Sequence, residues 1–569
     1  MFACFAPALR AGFVDWDDPS NLLENPHYRG LSPTHLRWMF TTLLGGHYQP
    51  LSWVSFALDY RVWGMQAYGY HLTNVVVHAA NALLVYVLAL MLLRQTMPAY
   101  SDRHAVAAAV AALCFALHPL RVESVAWVTE RRDVLSTFFL LLTLLAYVRM
   151  VRAGPRPPSP AWLVVALVCF TLSLLSKAWG MTLPVVLLIL DVYPFRRFSA
   201  GGDRPRRVLL EKLPFLVLAG MAMVLAVLAQ RPAAGMRTLA EHGVGARLVQ
   251  ASYGLIFYLW KTLLPWRLSP LYLLGPDFDP TDLRYLACGG AVLAITVVLI
   301  LLRRRWPWAL AAWACYGVIL SPVLGLLQTG PQLVADRYSY LACLPWALLA
   351  GAAVCGTALR RRPVGAGLII VGLTALSVLT FRQAQVWKDT PTLWDHVLRL
   401  DPMNYVANVN RGAAQMARGD LTGAVAYYDR ALRANPRLAI AYRARGAARY
   451  QGGDLQGALA DYTAALQLEP DAVVFLNRAL TRQALGDATG ALADYSASLQ
   501  LNAGDPQAYN NRGWLRRQRG DLAGAIGDFE RALAVAPAEW PYRAQTEDNL
   551  RETQALTGHG GRWSAPRGS

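Results

Sequence analysis

Apolar runs close to the roughly 20 residues that a helix needs to cross a bilayer recur through the first two thirds of this 569-residue chain. They centre on 69–93, 134–151, 209–229, 248–264, 283–302, 308–327, 338–359 and 364–381, with shorter or interrupted candidates at 105–117, 162–176 and 181–192. A bilayer interior offers no water to backbone N–H and C=O groups, so runs of this length must be helices that satisfy their own hydrogen bonds. The expected class is all-α, with a polytopic membrane domain over 1–385. At 55% hydrophobic residues the chain falls outside the range of one soluble core. Residues 1–9 are apolar but cover less than half a span and lack a signal-peptide head. They read as the end of a truncated first span.

Charge supplies a topology. The net +18 comes with 50 Arg and only 4 Lys. From Asp401 onward 19 Arg face 17 Asp and Glu, which leaves +16 of the excess before it, mostly in the short loops 149–156, 196–207, 303–305 and 360–362. Basic residues that flank spans mark cytoplasmic loops and contacts with the lipid bilayer. A nucleic-acid partner would need a basic face on a folded domain, and none is expected. With 360–362 inside, everything after the last run lies on the extracytoplasmic side. Counting every candidate as a span gives the opposite side, so one segment between Phe195 and Leu283 is expected not to cross. Seven scattered cysteines include no pair at metal-ligand spacing, which supports neither a zinc site nor a disulfide framework.

Polar residues cluster where the apolar runs end, which is a costly place for idle groups. Asp17 and Asp18 follow the first apolar stretch. Adjacent carboxylates can split into a base and a permanently charged neighbour, or they can form a solvated turn. His71, Asn74 and His78 recur on one helix face, fit either for a polar headgroup or for hydrogen-bonded helix packing. Between His118 and Asp133 stand Arg121, Glu123, Trp127, Glu130, Arg131 and Arg132. The arginines suit a phosphate and the carboxylates suit proton transfer or the holding of arginines. A surface loop with internal ion pairs is the other reading. Lys177 sits between two apolar runs, where it must snorkel or meet an anion. Arg337, beside Asp336, opens another run as a phosphate clamp or an interface anchor.

Gly-Asp pairs at Gly419, Gly453, Gly486 and Gly520 repeat at spacings of 34, 33 and 34. Ala424, Ala458, Ala491 and Ala525 share that register, as do Tyr428, Tyr462, Tyr495 and Phe529. Small residues at the helix crossing, an aromatic on the second helix and closing prolines make four tetratricopeptide repeats over 403–538. A half-repeat junction at 386–402 precedes them with little linker, a capping helix covers 539–556, and 557–569 reads as a disordered tail. The whole is a helical membrane domain followed by an α-solenoid. Asn408, Arg411, Tyr442, Arg445, Asn477, Arg478, Asn510 and Asn511 fall on the first helices, which line the concave, peptide-binding face of such arrays. They could grip an acceptor peptide or simply be solvated.

Taken together, these motifs resemble the transmembrane-and-tetratricopeptide-repeat protein O-mannosyltransferases and their bacterial relatives. The carriers are Trp16, Asp17 and Asp18; Gln49, Pro50 and Leu51; Gly69, His71 and Asn74; the string His118, Glu123, Val125, Trp127, Arg131 and Asp133; Ser176, Lys177, Gly180 and Pro184; and Asp336, Arg337 and Tyr338. Two departures stand out: Ala178 replaces the family's acid after Ser-Lys, and Asp336 stands where Glu is usual. The resemblance implies a GT-C glycosyltransferase fold, a polyprenyl-phosphate-linked sugar as donor, and a protein or peptide acceptor on the repeats. It implies an inverting displacement with Asp17 or Asp18 as the base. Arg131, Arg337 and Lys177 would stabilise the departing phosphate, His71 and His118 would position the donor, and Glu123 and Asp133 would orient the arginines. Two loop acids can hold a divalent cation such as Mg²⁺; no residue is assigned to a metal. A bacterial inner membrane is the expected setting. The alternatives are a non-catalytic membrane scaffold that recruits proteins through its repeats, and a surface-polysaccharide polymerase or ligase.

Overall fold

The computed structural model describes residues 1–152, 160–199, 204–230, 242–275, 278–326, 330, 332–356 and 362–556. Parts of the basic loops at 149–156, 196–207 and 360–362, and the tail expected at 557–569, lie outside them. The chain divides into two compact units, Met1–Leu400 and Asp401–Ser569.

The first unit is a multi-pass membrane unit. Among the described residues, five helices are long and apolar enough to cross a bilayer: Ala67–Thr96, Val128–Arg152, Pro205–Gln230, Leu283–Leu301 and Val364–Val386. Two further pairs, Pro98–Ala116 with Pro119–Ala126 and Asp336–Ala342 with Leu344–Gly356, pass the same test but bend by 54° each. The outward faces are apolar where a water-soluble protein would be polar: Leu283, Leu293 and Leu301 on one helix, and Leu368 and Val371 on another, are all more than 60% exposed. Faces of this kind are stable only against lipid.

Two of the expected runs do not appear among the helices long and apolar enough to cross. The run at 248–264 forms the helix Val244–Leu263, which is not among the spans. Its buried face carries Arg247 and Gln250, so it is amphipathic. The run at 308–327 yields only the 14-residue helix Pro307–Leu320, closed by a turn at Ser321–Val323. At 1.5 Å per residue this covers about 21 Å, short of the roughly 30 Å hydrocarbon core. After it, the strand Gln332–Val334 pairs antiparallel with Tyr272–Leu273, with Tyr272 opposite Val334. This pairing leads directly into the turn Asp336–Tyr338.

In the second unit four helix pairs run from Tyr405 to Val535, and Arg543–Leu556 packs Leu550 against Phe529 and Leu533. The Gly-Asp signature has a physical cause. Gly419, Gly453, Gly486 and Gly520 take φ of +80° to +85°, a left-handed conformation that glycine adopts without strain. Each following Asp caps the next helix: Asp420 accepts from the Gly423 amide at 2.9 Å and Asp487 from Gly490 at 2.8 Å.

The array also corrects the expected acceptor face. Arg478 donates to Asp494 at 2.9 and 2.7 Å, and Arg482, one turn on, donates to the same carboxylate at 2.8 Å. Arg445 and Arg449 clamp Asp461 in the same way, and Arg512 and Arg516 clamp Asp528. Arg445 and Arg478 therefore tie the two helices of a repeat together. In the first repeat Arg411 lies over the Tyr427 ring. Asn408 is buried and bonds the carbonyls of Pro402 and Asn404, while Asn510 accepts from Thr546. Asn511 accepts from Gln507 within its own helix. Tyr442 packs beside Tyr462, and only Asn477 and Tyr442 of the eight keep half-exposed side chains with no polar bond among the described residues. We expect Asp494→Ala, which leaves two guanidinium groups facing one another, to cost about 1–3 kcal/mol, as read by urea unfolding followed by circular dichroism.

Candidate active site

Three broken segments of the membrane unit converge on one charged cluster. The stretch from His118 to Asp133 is not a loop. It folds as a turn Pro119–Arg121, a short helix Val122–Ala126, a turn Val128–Glu130 and the start of the long helix at Arg131. Proline at 119 and the extended residue Trp127 interrupt the helix. Every residue from Pro119 to Val134 is buried.

Glu130 is the hub. It accepts from Arg132 through both oxygens, at 3.1 and 2.6 Å, and from Lys177 Nζ at 3.1 Å. Arg337 Nε approaches it to 3.6 Å. Glu123 holds Arg337 twice, through the backbone amide at 2.8 Å and through Nη1. Asp133 takes Lys177 Nζ at 2.5 Å and the Ser124 hydroxyl at 2.9 Å. Three cations thus face three acids. Arg132 Nη1 and Arg337 Nη2 take no acceptor among the described residues. Lys177 uses two of its three N–H bonds. Each cation keeps a donor for an incoming anion.

Asp17 is the fourth carboxylate. It is half-buried and, among the described residues, makes no hydrogen bond and no ion pair. Burial raises its pKa above the ordinary Asp value; Arg132 and Arg337 oppose that rise and Glu130 adds to it. Asp18 is spent differently. Its carboxylate accepts from the Val14 amide at 3.0 Å and from Thr129 through the amide at 3.2 Å and the hydroxyl at 2.6 Å. It pins the first loop to the segment that carries Glu130. Trp16 stacks on Trp127 at 4.9 Å and packs on Trp394, holding Asp17 from the other side. The two adjacent loop acids therefore differ: among the described residues the Asp17 side chain has no hydrogen-bond partner, and Asp18 is a clamp.

Burial pushes Asp18 up to about 6. The folded state binds this proton more tightly than the unfolded chain does. The stability it contributes is whole below the ordinary Asp pKa and is lost as pH rises through 6, about 3 kcal/mol in all. Asp18→Asn does not titrate. The wild type's advantage over this variant in unfolding temperature is expected to shrink between pH 4 and pH 7.

Other expected donor-binding residues are engaged with the protein's own groups. Arg131 is fully buried and bonds Ser55, Asp59 and the Tyr70 carbonyl at 2.7 Å each, with Asn74 as a fourth partner. Four of its five N–H bonds are committed to these partners, leaving one Nη1 hydrogen. His71 is buried against the Gly12 carbonyl at 3.4 Å. His118 caps the Pro119–Arg121 turn and bonds the Thr262 carbonyl at 3.0 Å. His78 and Asn74 bond neighbouring backbone carbonyls as well, so the polar stripe packs helix on helix. Asp133 orients Lys177 and no arginine. Asp336 accepts from the Tyr272 hydroxyl at 3.1 Å. His47 was not among the expected site residues; its pKa is pushed well below the ordinary value, first by burial and then by the charges of Arg132 and Lys177. Among the described residues no three His, Cys, Asp or Glu side chains are placed to hold a metal ion.

A tetratricopeptide-repeat family model matches residues 394–473 and 476–544. The human protein O-mannosyl-transferase TMTC1 is 26% identical over 480 residues, covering 75% of this chain and 53% of the relative. The chain is similar, over most of its length, to proteins named as protein O-mannosyl-transferases. The Caenorhabditis elegans protein O-mannosyl-transferase F38B6.6 is 24% identical over 72% of this chain and 58% of its own length. Human TMTC2 is 31% identical over 35% of this chain and 23% of its own. The chain spans about half the length of the relatives it matches most extensively. Among solved structures, the tetratricopeptide-repeat protein YrrB aligns at 20% identity and TM-score 0.27, over 29% of this chain and 84% of YrrB. Ala178 follows Lys177 in this chain, and Lys177 is held by Glu130 and Asp133.

Proposed function

We propose that the chain is an integral membrane glycosyltransferase that moves mannose from a polyprenyl-phosphate donor to a Ser or Thr hydroxyl of a polypeptide. The observation that carries this reading is the lone Asp17 carboxylate beside a cluster whose other acids are all paired. Asp17 takes the proton of the acceptor hydroxyl as its oxygen bonds to the anomeric carbon. The bond from that carbon to the phosphate oxygen breaks on the opposite face, with inversion. The departing phosphate carries the developing charge, which Lys177, Arg337 and Arg132 meet with their spare N–H groups. Glu130 and Glu123 hold those cations in place before the reaction begins, so little reorganisation is needed.

The relatives' name supports the sugar and the acceptor class. A cavity of about 710 Å³ in the membrane unit supports the lipid. Its walls are overwhelmingly apolar, and they include Leu140, Thr182 and Leu341. These lie on the elements that carry Asp133, Lys177 and Arg337, so a polyprenyl chain could lie there with its phosphate at the cations. The repeats, on the extracytoplasmic side of an inner membrane in this reading, would present the polypeptide.

The test is purified protein in liposomes with polyprenyl-phosphate mannose, with and without candidate polypeptides. Mannosyl-polypeptide formed by the wild type and lost in Asp17→Asn supports the reading. Glycan extension without polypeptide would establish a polysaccharide polymerase instead. No donor turnover from folded protein would make the chain a scaffold.

A further inference from the structure

A second candidate site lies away from the reaction centre, on the short helix Pro205–Leu210 that opens the span Pro205–Gln230. A cavity of about 400 Å³ is lined by Leu163, Arg204, Arg206, Arg207, Leu210 and Glu211. All three arginines are exposed. Arg204 and Arg206 make no side-chain hydrogen bond or ion pair among the described residues. Arg207 comes only within 3.6 Å of Glu211. That acid is already committed, because Arg197 holds it in a two-pronged pair at 2.7 and 3.1 Å.

Beneath the cavity the polar groups are satisfied. Lys212 Nζ pairs with Asp191 at 2.7 Å, and the Tyr147 hydroxyl donates to Asp191. Among the described residues no acid but Glu211 comes within ion-pair distance of the three arginines, whose side chains are exposed. Immediately along the chain the surface turns apolar: Leu209, Leu210, Leu213, Leu216 and Val217 are each about half exposed. They lie on the Pro205–Gln230 span. A basic cup at the start of a candidate span, followed along the chain by exposed leucines, is the pattern expected where a helix meets phospholipid headgroups.

We propose that this cup binds the phosphate headgroup of an anionic bilayer phospholipid. Arg204 and Arg206 supply unpaired guanidinium donors to the phosphate, and Arg207 joins them when it swings from Glu211. The acyl chains run down Leu210, Leu213 and Val217. A guanidinium fork matches phosphate oxygens better than a point charge does. This inference concerns the protein's fixed lipid and does not depend on the transfer reaction.

The test uses the full chain, delipidated in neutral detergent and titrated with phosphatidylglycerol or phosphatidylcholine under native mass spectrometry. The wild type is expected to retain one phosphatidylglycerol in preference to phosphatidylcholine. Arg204→Gln with Arg206→Gln, both on exposed positions, should weaken that retention at least about 10-fold. Arg304→Gln with Arg305→Gln, in another exposed basic turn, should leave it intact. Millimolar inorganic phosphate should not displace the lipid. Equal retention by the 204/206 variant, equal loss in the 304/305 variant, or no preference over phosphatidylcholine would overturn the proposal. Displacement by phosphate would overturn it in favour of a soluble-anion site.

Discussion

Asp17→Asn is expected to lower kcat by about 10²–10⁴-fold and to leave the unfolding temperature unchanged. The two halves of this result come from the same observation. A carboxylate with no hydrogen bond and no ion pair contributes nothing that asparagine would fail to replace in the fold. As the only acid of the cluster not bonded to a cation, it alone can accept a proton without dismantling the phosphate site. The pH profile adds a sign. The base must be ionised, so activity is lost as pH falls through its pKa, and burial raises that pKa. The acid limb of kcat/KM is therefore expected above the ordinary Asp value. Asp18→Asn should move stability with pH and leave that limb where it is. If instead Asp18→Asn abolished turnover in folded protein while Asp17→Asn did not, the assignment of roles would be reversed.

Arg131→Met is expected to destabilise the membrane unit by about 3–5 kcal/mol, whereas Arg132→Met should leave it folded and slow. Arg131 ties the helix starting at its own position to Asp59 and Ser55 on one neighbour and to Asn74 and Tyr70 on another. Its loss strands the Asp59 carboxylate, whose remaining polar bond is the Thr73 hydroxyl at 2.7 Å. Arg132 bonds only Glu130, which keeps Lys177 when Arg132 is gone. Thermal unfolding followed by fluorescence size-exclusion would show a loss of monodisperse protein for the first variant and not for the second. Equal stability of the two would show that the Arg131 network carries no load.

How much of the site was legible follows from which residues needed a neighbour to be interpreted. Asp17, Glu123, Lys177 and Arg337 were named from their positions at the ends of apolar runs, and the fold brings their segments together. Arg131 and Arg132 could not be told apart by type. The helix begins at Arg131, and about 100° per residue turns one into the bundle and the next toward the first loop. Glu130 and Arg132 stood in the same string without a role of their own, because nothing local marks the residue on which Arg132 and two cations from distant segments meet. The array shows the same limit: its arginines recur in register with Asp461, Asp494 and Asp528, a pairing visible only once the two helices of a repeat are placed.

The sequence by itself determined the helical class, the membrane character and the repeat period, because each follows from local rules. Backbone groups in lipid must bond within their own segment, and Gly-Asp punctuates a helix pair wherever it recurs. The tertiary structure decided which polar residues are free. A buried charge is defined by what stands opposite it, and Asp17 differs from Asp18 only in that Thr129 and the Val14 amide meet one carboxylate and not the other.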